Sequence, residues 1–449
     1  MTFDPSESKQ AVSPRTRWLT VGALAILQLA CLRWASRVAI AEMTNCQVCD
    51  TSYYLSSANE LVHSGLLFTN AFDGYRSYFV PFVVSALQKA SSFVGYALTD
   101  PERYAYGASS LFWLLSISVM WWLSNRVSLK QFLFSAAATL VNPFLVVYVP
   151  FALQEGVLIT LCLPFLFVWV GATNLGTSVR AAVVLIIALV AYITRAALVW
   201  WLVPAVLYSA WMLRPQMSQT RRRLPPIALV GFAGALLLGP QIYIAKHKFD
   251  SFNPYPATSL FASQISWGVS LLKYASVEDE GHWRGLTYFS PFVAEPEEVK
   301  TINFYLDNPT RGAFLLFSHA YAGFHYDQIM PYWRLERARA LTFWLVLSSA
   351  IVFLGVTQMV ITGLAGRVSA DDMFSIATMV LCCLSLVLVA TESRFGIVGF
   401  AMLSIHALKL LATRLTWDRW GLVLTGLVLY LVLAFLFNTL LMQNADINL

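Results

Sequence analysis

The sequence predicts an all-α polytopic membrane protein with about eleven transmembrane helices. Three observations lead there. Of the 449 residues, 58% are hydrophobic and 12% are charged, about half the charged share usual in soluble domains. Mean hydropathy is +0.64. Several apolar runs approach the roughly 20 residues needed to cross a bilayer. The formal net charge of +6 comes from basic residues in short loops. It therefore reports topology and gives no reason to expect a nucleic-acid partner.

The elements follow in order. Residues 1–17 form a polar cytoplasmic head. The first apolar run, 18–40, is a full span, which reads as an uncleaved anchor. Residues 41–104 form a first outer loop. Within it 79–98 is apolar but carries Pro81 and a central Lys89. A lysine at mid-bilayer is costly, so this segment is predicted to lie along the interface, where Lys89 can snorkel. Spans follow at 106–124, 132–149 and 152–172. Residues 181–213 hold Arg195 in the middle. As one helix they would be about 50 Å long, too long for a bilayer of about 30 Å. They are therefore split into two spans meeting at Thr194–Arg195. A seventh span, 227–245, closes a transmembrane module that covers 18–245. A large polar outer region, 246–340, holds SVEDEGHWRG, AEPEEVK and an apolar patch, 312–324, expected to lie on the membrane. Four spans complete the chain within 341–449, at 341–365, 373–390, 395–411 and 422–441.

Orientation follows from lysine and arginine in the short loops. One alternate set carries Lys9, Arg15, Arg17, Arg126, Lys130, Arg180, Arg214, Arg221, Arg222, Arg223, Arg367, Lys409, Arg414 and Arg419. The opposite short loops hold little beyond Arg195 and Arg394. The first set is assigned to the cytoplasm. That puts the N-terminus inside, the C-terminus outside, and 41–104 and 246–339 on the outer face.

Three acids then stand at membrane borders on the outer side: Asp50, Glu155 and Glu392. A carboxylate there can take a proton from a hydroxyl nucleophile. A pair can hold a hard divalent cation, so Mg or Mn stays open as a cofactor and the metal ligands stay unknown. Arg195, Arg394, Lys246 and Lys248 lie at the same level and suit a phosphate at headgroup depth. Structural roles compete at each position. Asp50 precedes an amphipathic run and can cap it. Glu155 sits where a helix dipole favours an acid. Glu392 and Arg394 can simply pair. His319 and His325, with Asp327, form either a polar cluster near an acceptor or interfacial histidines among tyrosines. Arg221–Arg223 are topological or contact anionic lipid. Cys46 and Cys49, three apart beside Asp50, have no second pair for zinc. On the outer face they are expected to close a short structural disulfide.

The order of Asp50, Tyr53, Tyr54, Ala58, Leu61 and Gly65, followed by Tyr78, Pro81 and Phe82, resembles the first outer loop of the GT-C superfamily of polytopic glycosyltransferases. Protein mannosyltransferases and the lipid A aminoarabinose transferase are examples. The segment around Glu155 is similar to their second outer loop. Glu392–Phe395, ESRF, is similar to an element many members place before a late span. The resemblance extends to about residue 411. It implies sugar transfer from a polyprenyl-phosphate donor to a hydroxyl of a glycan, lipid or protein acceptor, at the outer face of a bacterial inner membrane. Asp50 would be the general base, helped by Glu155. Arg195, Arg394, Lys246 and Lys248 would hold the donor phosphate. Tyr53, Tyr54, Glu392 and His325 would support the site or the acceptor. No glycine-rich nucleotide loop is present, in line with a lipid donor. Two other classes stay open. A flippase or transporter of lipid-linked saccharides would carry mid-membrane charges and internal repeats. A polysaccharide polymerase or ligase would lack an acid directly after the first span.

Overall fold

The computed structural model describes residues 13–45, 50–65, 67, 72–74, 76–93, 95–96, 98–171, 176–214, 224–256, 259–279, 282–292, 303–326, 332–334, 343–366, 368–389, 391–413, 417–443 and 445–448. The chain divides into two compact units, Met1–Ala257 and Thr258–Leu449.

The first unit is helical. Its apolar runs become α1 (Pro14–Asn45), α2 (Asp50–Ser64), α3 (Phe79–Ser92) and α4 (Pro101–Ser124). The start of α4 is written in sequence. Asp100 accepts a hydrogen bond from the backbone N–H of Arg103, and Pro101 fills the first turn, where a missing N–H costs nothing. Helix α3 has 14 residues, about 21 Å, too short to span. It keeps the non-spanning helical form expected of 79–98.

The predicted third span, 132–149, is not one helix. It divides into α5 (Leu129–Ala138) and the single turn α6 (Pro143–Val146). Pro143 brings no N–H to continue α5, and the Asn142 side chain instead accepts from the Phe144 N–H at 3.1 Å. Irregular backbone at this depth is tolerable because it is packed in protein. Leu140, Phe144, Leu145, Val146, Val147, Phe151, Ala152 and Leu153 are all fully buried.

Next come α7 (Gln154–Gly171), α8 (Thr177–Thr194), α9 (Leu202–Leu213) and α10 (Leu224–Phe249). The break at Thr194–Arg195 is where the sequence placed it. A 3₁₀ segment, Ala196–Trp201, joins α8 to α9. The carbonyls freed at the end of α8 are taken by side chains from elsewhere. Ser77 Oγ donates to Ile193 O at 2.6 Å, and the Tyr255 hydroxyl lies 2.6 Å from the same carbonyl and 3.0 Å from that of Tyr192. A helix end so satisfied can stop inside the protein.

These helices share two ends. At one, Arg17 bonds Asn125, Gln131 bonds the Gly171 carbonyl, and Arg180 bonds the Trp169 carbonyl. At the other, Gln154 bonds Tyr54 and Lys248 bonds the Phe72 carbonyl. Between them, Gln28 reaches Ser116 and the Leu140 carbonyl, and Ser36 meets Ser109. Such pairs join helices where lipid offers polar groups no partner.

The second unit contains α11 (Ser259–Ser270), β1 (Leu271–Asp279), β2 (His282–Phe289), α12 (Asn303–Asp307), α13 (Pro309–Phe324), β3 (Tyr332–Arg334), α14 (Phe343–Leu364), α15 (Ala370–Leu386), α16 (Ile397–Ala412), α17 (Trp417–Met442) and β4 (Ala445–Asn448). The strands form one sheet, ordered β3-β1-β2-β4. The described chain is otherwise helical, as the all-α expectation has it, and the region read as a polar loop holds a hairpin, with Val277 opposite Arg284. β4 pairs antiparallel to β2, so the end of α17 lies on the hairpin's side of this unit. Close helix contacts depend on glycine. A Cβ on Gly355 would stand 2.6 Å from the Leu403 carbonyl, which brings α14 against α16.

Among the described residues, eight helices are long and apolar enough to cross a membrane: Pro14–Thr44, Pro101–Ser124, Gln154–Gly171, Thr177–Thr194, Ala196–Leu213, Phe343–Leu364, Arg394–Ala412 and Trp417–Met442. The other three predicted spans correspond to the divided α5–α6 segment, to α10, and to α15, which has 17 residues. The side chains of the first two turns of α10 lie outside the described residues.

Candidate functional site

One end of the first unit brings several acids and cations together. Helix α2 brings them there. Thr51, Tyr54, Leu55, Ala58 and Leu61 are its buried positions, an i, i+3, i+4, i+7 stripe that turns one face inward. Asp50 opens the first turn, where the helix dipole favours an acid. Its side chain is 36% exposed. The next residue, Thr51, donates to the carboxylate of Glu42, and both are fully buried. That bond ties the start of α2 to the end of α1.

Arg76 faces Asp50. Its Nη2 lies 3.3 Å from Asp50 Oδ1, and its Nη1 lies 2.8 Å from Asp73 Oδ2. Asp73 also accepts the backbone N–H of Arg76 at 2.8 Å, a local clamp of the kind an aspartate makes in a tight turn. The guanidinium sits 4.5 Å above the Tyr53 ring. Burial works against the Arg76 charge, yet its pKa is raised, because Asp73 bonds it and Asp50 attracts it. Burial and then Asp73 push the Tyr53 phenol up to about 12.

Tyr54 joins this group to a deeper pair. Its hydroxyl accepts from Gln154 Nε2 at 2.7 Å. Next to Gln154, Glu155 accepts from Arg195 Nη1 at 2.6 Å. This pair is shielded, with side chains 4% and 18% exposed. Burial holds the Tyr54 phenol well above its usual pKa, and the charges of Asp50, Glu155 and Asp73 add to that shift against Arg76. Tyr54 therefore lies within electrostatic reach of both Asp50 and Glu155.

Five of the predicted residues thus come together: Asp50, Tyr53, Tyr54, Glu155 and Arg195. Lys248 is at the same end, donating to the Phe72 carbonyl at 2.7 Å. Lys246 turns to Asp250 one helical turn on and lies 4.9 Å from the Phe252 ring centroid. The cations predicted to hold a phosphate are therefore engaged within the protein. Arg76, Asp73, Gln154 and Glu42 were not singled out from sequence. Asp73 and Arg76 carried a signal, an aspartate three residues before an arginine inside DGYR. Glu42 carried little, standing alone near the end of an apolar run.

Glu392, Arg394 and His325 belong to the second unit. Arg394 Nε donates to Glu392, and both side chains are sealed, 9% and 5% exposed. The backbone just after the pair is closely packed. A Cβ on Gly396 would lie 2.0 Å from the Gly323 carbonyl. His325 has one consistent proton arrangement. The Tyr321 carbonyl, 2.8 Å from Nδ1, can only accept, so Nδ1 carries the hydrogen. Nε2 then accepts from the Tyr430 hydroxyl at 2.7 Å. Burial lowers the His325 pKa to about 4. His319 lies between the Val387 and Leu271 carbonyls at 2.7 and 2.9 Å. Both histidines serve the packing of this unit.

Among the described residues no three His, Cys, Asp or Glu side chains converge as metal ligands do. Cys46 and Cys49, with their expected disulfide, lie outside the described residues, as do Asp327 and Arg221–Arg223. No family model matches the chain, and no curated protein matches its sequence.

Proposed function

We propose that the chain is an integral membrane glycosyltransferase of the GT-C type, transferring a sugar from a polyprenyl-phosphate donor to a hydroxyl acceptor. The observation that carries this reading is the half-exposed Asp50 carboxylate. It stands at the head of α2 with Arg76 against it, at the end of the unit that also holds Tyr54, Glu155 and Arg195. One such end offers a base, cations and a buried support. Arg17 and Arg180 collect at the opposite end. Basic short loops mark the cytoplasm, so the Asp50 end faces outward, in a bacterial inner membrane with the N-terminus inside and eleven passages of the chain.

In the reaction the acceptor oxygen attacks the anomeric carbon. Its proton passes to Asp50, and the bond from that carbon to the phosphate oxygen breaks with its electron pair leaving on the phosphate. Guanidinium groups at this end stabilise the charge that develops there. Glu155, held by Arg195, keeps the second cation in place. No step is routed through a metal. The acceptor is a glycan, a lipid or a protein hydroxyl.

The test is sugar transfer from a synthetic polyprenyl-phosphate sugar by the purified chain and by Asp50→Asn. Wild-type transfer with loss in the variant supports the reading. Equal rates overturn the role of Asp50. Movement of a lipid-linked saccharide across the bilayer without transfer replaces the enzyme with a flippase.

A further inference from the structure

Arg76 is shared unequally between two carboxylates. Asp73 holds it by the Nη1 contact at 2.8 Å and by the backbone N–H at 2.8 Å. Asp50 meets it by the Nη2 contact at 3.3 Å, with side chains 34% and 36% exposed. The Asp73 arm is a local turn that any occupant of the site would leave intact. The Asp50 arm is long and wetted, the kind of ion pair that contributes little and yields readily.

We propose that Arg76 is an exchangeable latch on Asp50. The phosphodiester of the donor takes the Nη2 arm, Asp50 is released, and its carboxylate turns to the acceptor hydroxyl only once the donor is seated. This rests on the transferase reading above. The exchange is chemically favoured because the two non-bridging oxygens of a phosphate match the guanidinium fork, whereas the Asp50 contact is long and partly in solvent. Arg76 stays anchored by Asp73 and by the Tyr53 ring, so the cation does not move while its partner changes. The donor then binds before the acceptor is deprotonated. At the transfer step Asp50 accepts the acceptor proton, and the departing phosphate stays on Arg76.

The test is binding of a C20 polyprenyl phosphate to the full chain in phosphatidylcholine nanodiscs, read by tryptophan fluorescence. The C20 alcohol and inorganic phosphate are run beside it. Arg76→Gln is expected to weaken the lipid phosphate at least ~10-fold, and Arg76→Lys to recover part of the loss. Asp50→Asn is expected to tighten it about two- to fivefold, since the competitor for Arg76 is gone. In the Arg76→Gln background Asp50→Asn should then have no effect. Unchanged or weaker binding by Asp50→Asn overturns the latch, and so does tightening that persists without Arg76. Either result leaves the transfer assay to judge the function independently. Inorganic phosphate binding as tightly as the lipid overturns the lipid source of the ligand. A wild-type chain that binds neither phosphate overturns both proposals. Matching thermal unfolding of the variants shows that they are folded.

Discussion

Each unit contains a carboxylate–arginine pair, and the two pairs differ in what surrounds them. In the first unit Asp50 and Arg76 meet at 3.3 Å with about a third of each side chain in solvent. In the second, Glu392 and Arg394 are buried, with 5% and 9% of their side chains in solvent, beside a close backbone approach of Gly396 to the Gly323 carbonyl. The chemistry of the side chains is the same. An exposed pair contributes little to stability, so it is available for exchange with a ligand. A sealed pair is costly to break and better suited to holding structure. The contrast suits the first pair to the chemistry proposed above and the second to architecture.

The largest expected effect tests the first half of that contrast. Asp50→Asn should lower transfer about 10²- to 10⁴-fold, the usual worth of a general base, while shifting stability by less than ~1 kcal/mol. Glu392→Gln should do the reverse. Leaving Arg394 buried without that carboxylate should cost about 3–5 kcal/mol in thermal or denaturant unfolding in detergent. A stable Glu392→Gln protein with lost transfer would break the contrast. Gly396→Ala, which forces a Cβ against the Gly323 carbonyl, should cost about 1–3 kcal/mol by overpacking.

A pH series separates the units further. Unfolded His325 titrates near 6.5 and the folded group near 4. Between those values the unfolded chain holds more protons. Stability of the second unit should therefore be full above pH 6.5 and fall as pH drops toward 4. His325→Gln should flatten that slope. The smallest effect is expected from Tyr54→Phe. It removes the hydroxyl that Gln154 reaches at 2.7 Å and should cost about 1 kcal/mol of stability.

Much of this was legible in the chain, and the limits have physical causes. The split at Thr194–Arg195 followed from length alone, since one helix through it would outrun a bilayer. That 79–98 would not make a spanning helix was suggested by Lys89, and α3 has 14 residues. Asp50 stood out because a polar residue just past an apolar run has no packing reason to be there. The sheet did not stand out, because KYASVEDE reads as solvated polar loop when its pairing strands, β2 and β3, are not yet beside it. Nor did the division of 132–149, where the apolar run is unbroken and only Asn142–Pro143 marks the turn. Periodicity and hydropathy are one-dimensional quantities. They report what a segment can bury and say little about what it will be buried against.

The membrane class, the helix lengths, the caps and the basic end of the first unit all follow from composition and spacing, because lipid and the helix backbone impose the same requirements on any chain. Partner choice does not follow from them. That Arg76 joins Asp50 to Asp73, that Arg195 turns to Glu155, and that Glu392 and Arg394 are sealed are outcomes of tertiary packing. A charge within reach of several partners is assigned by which of them the fold brings close and how much water it leaves between them.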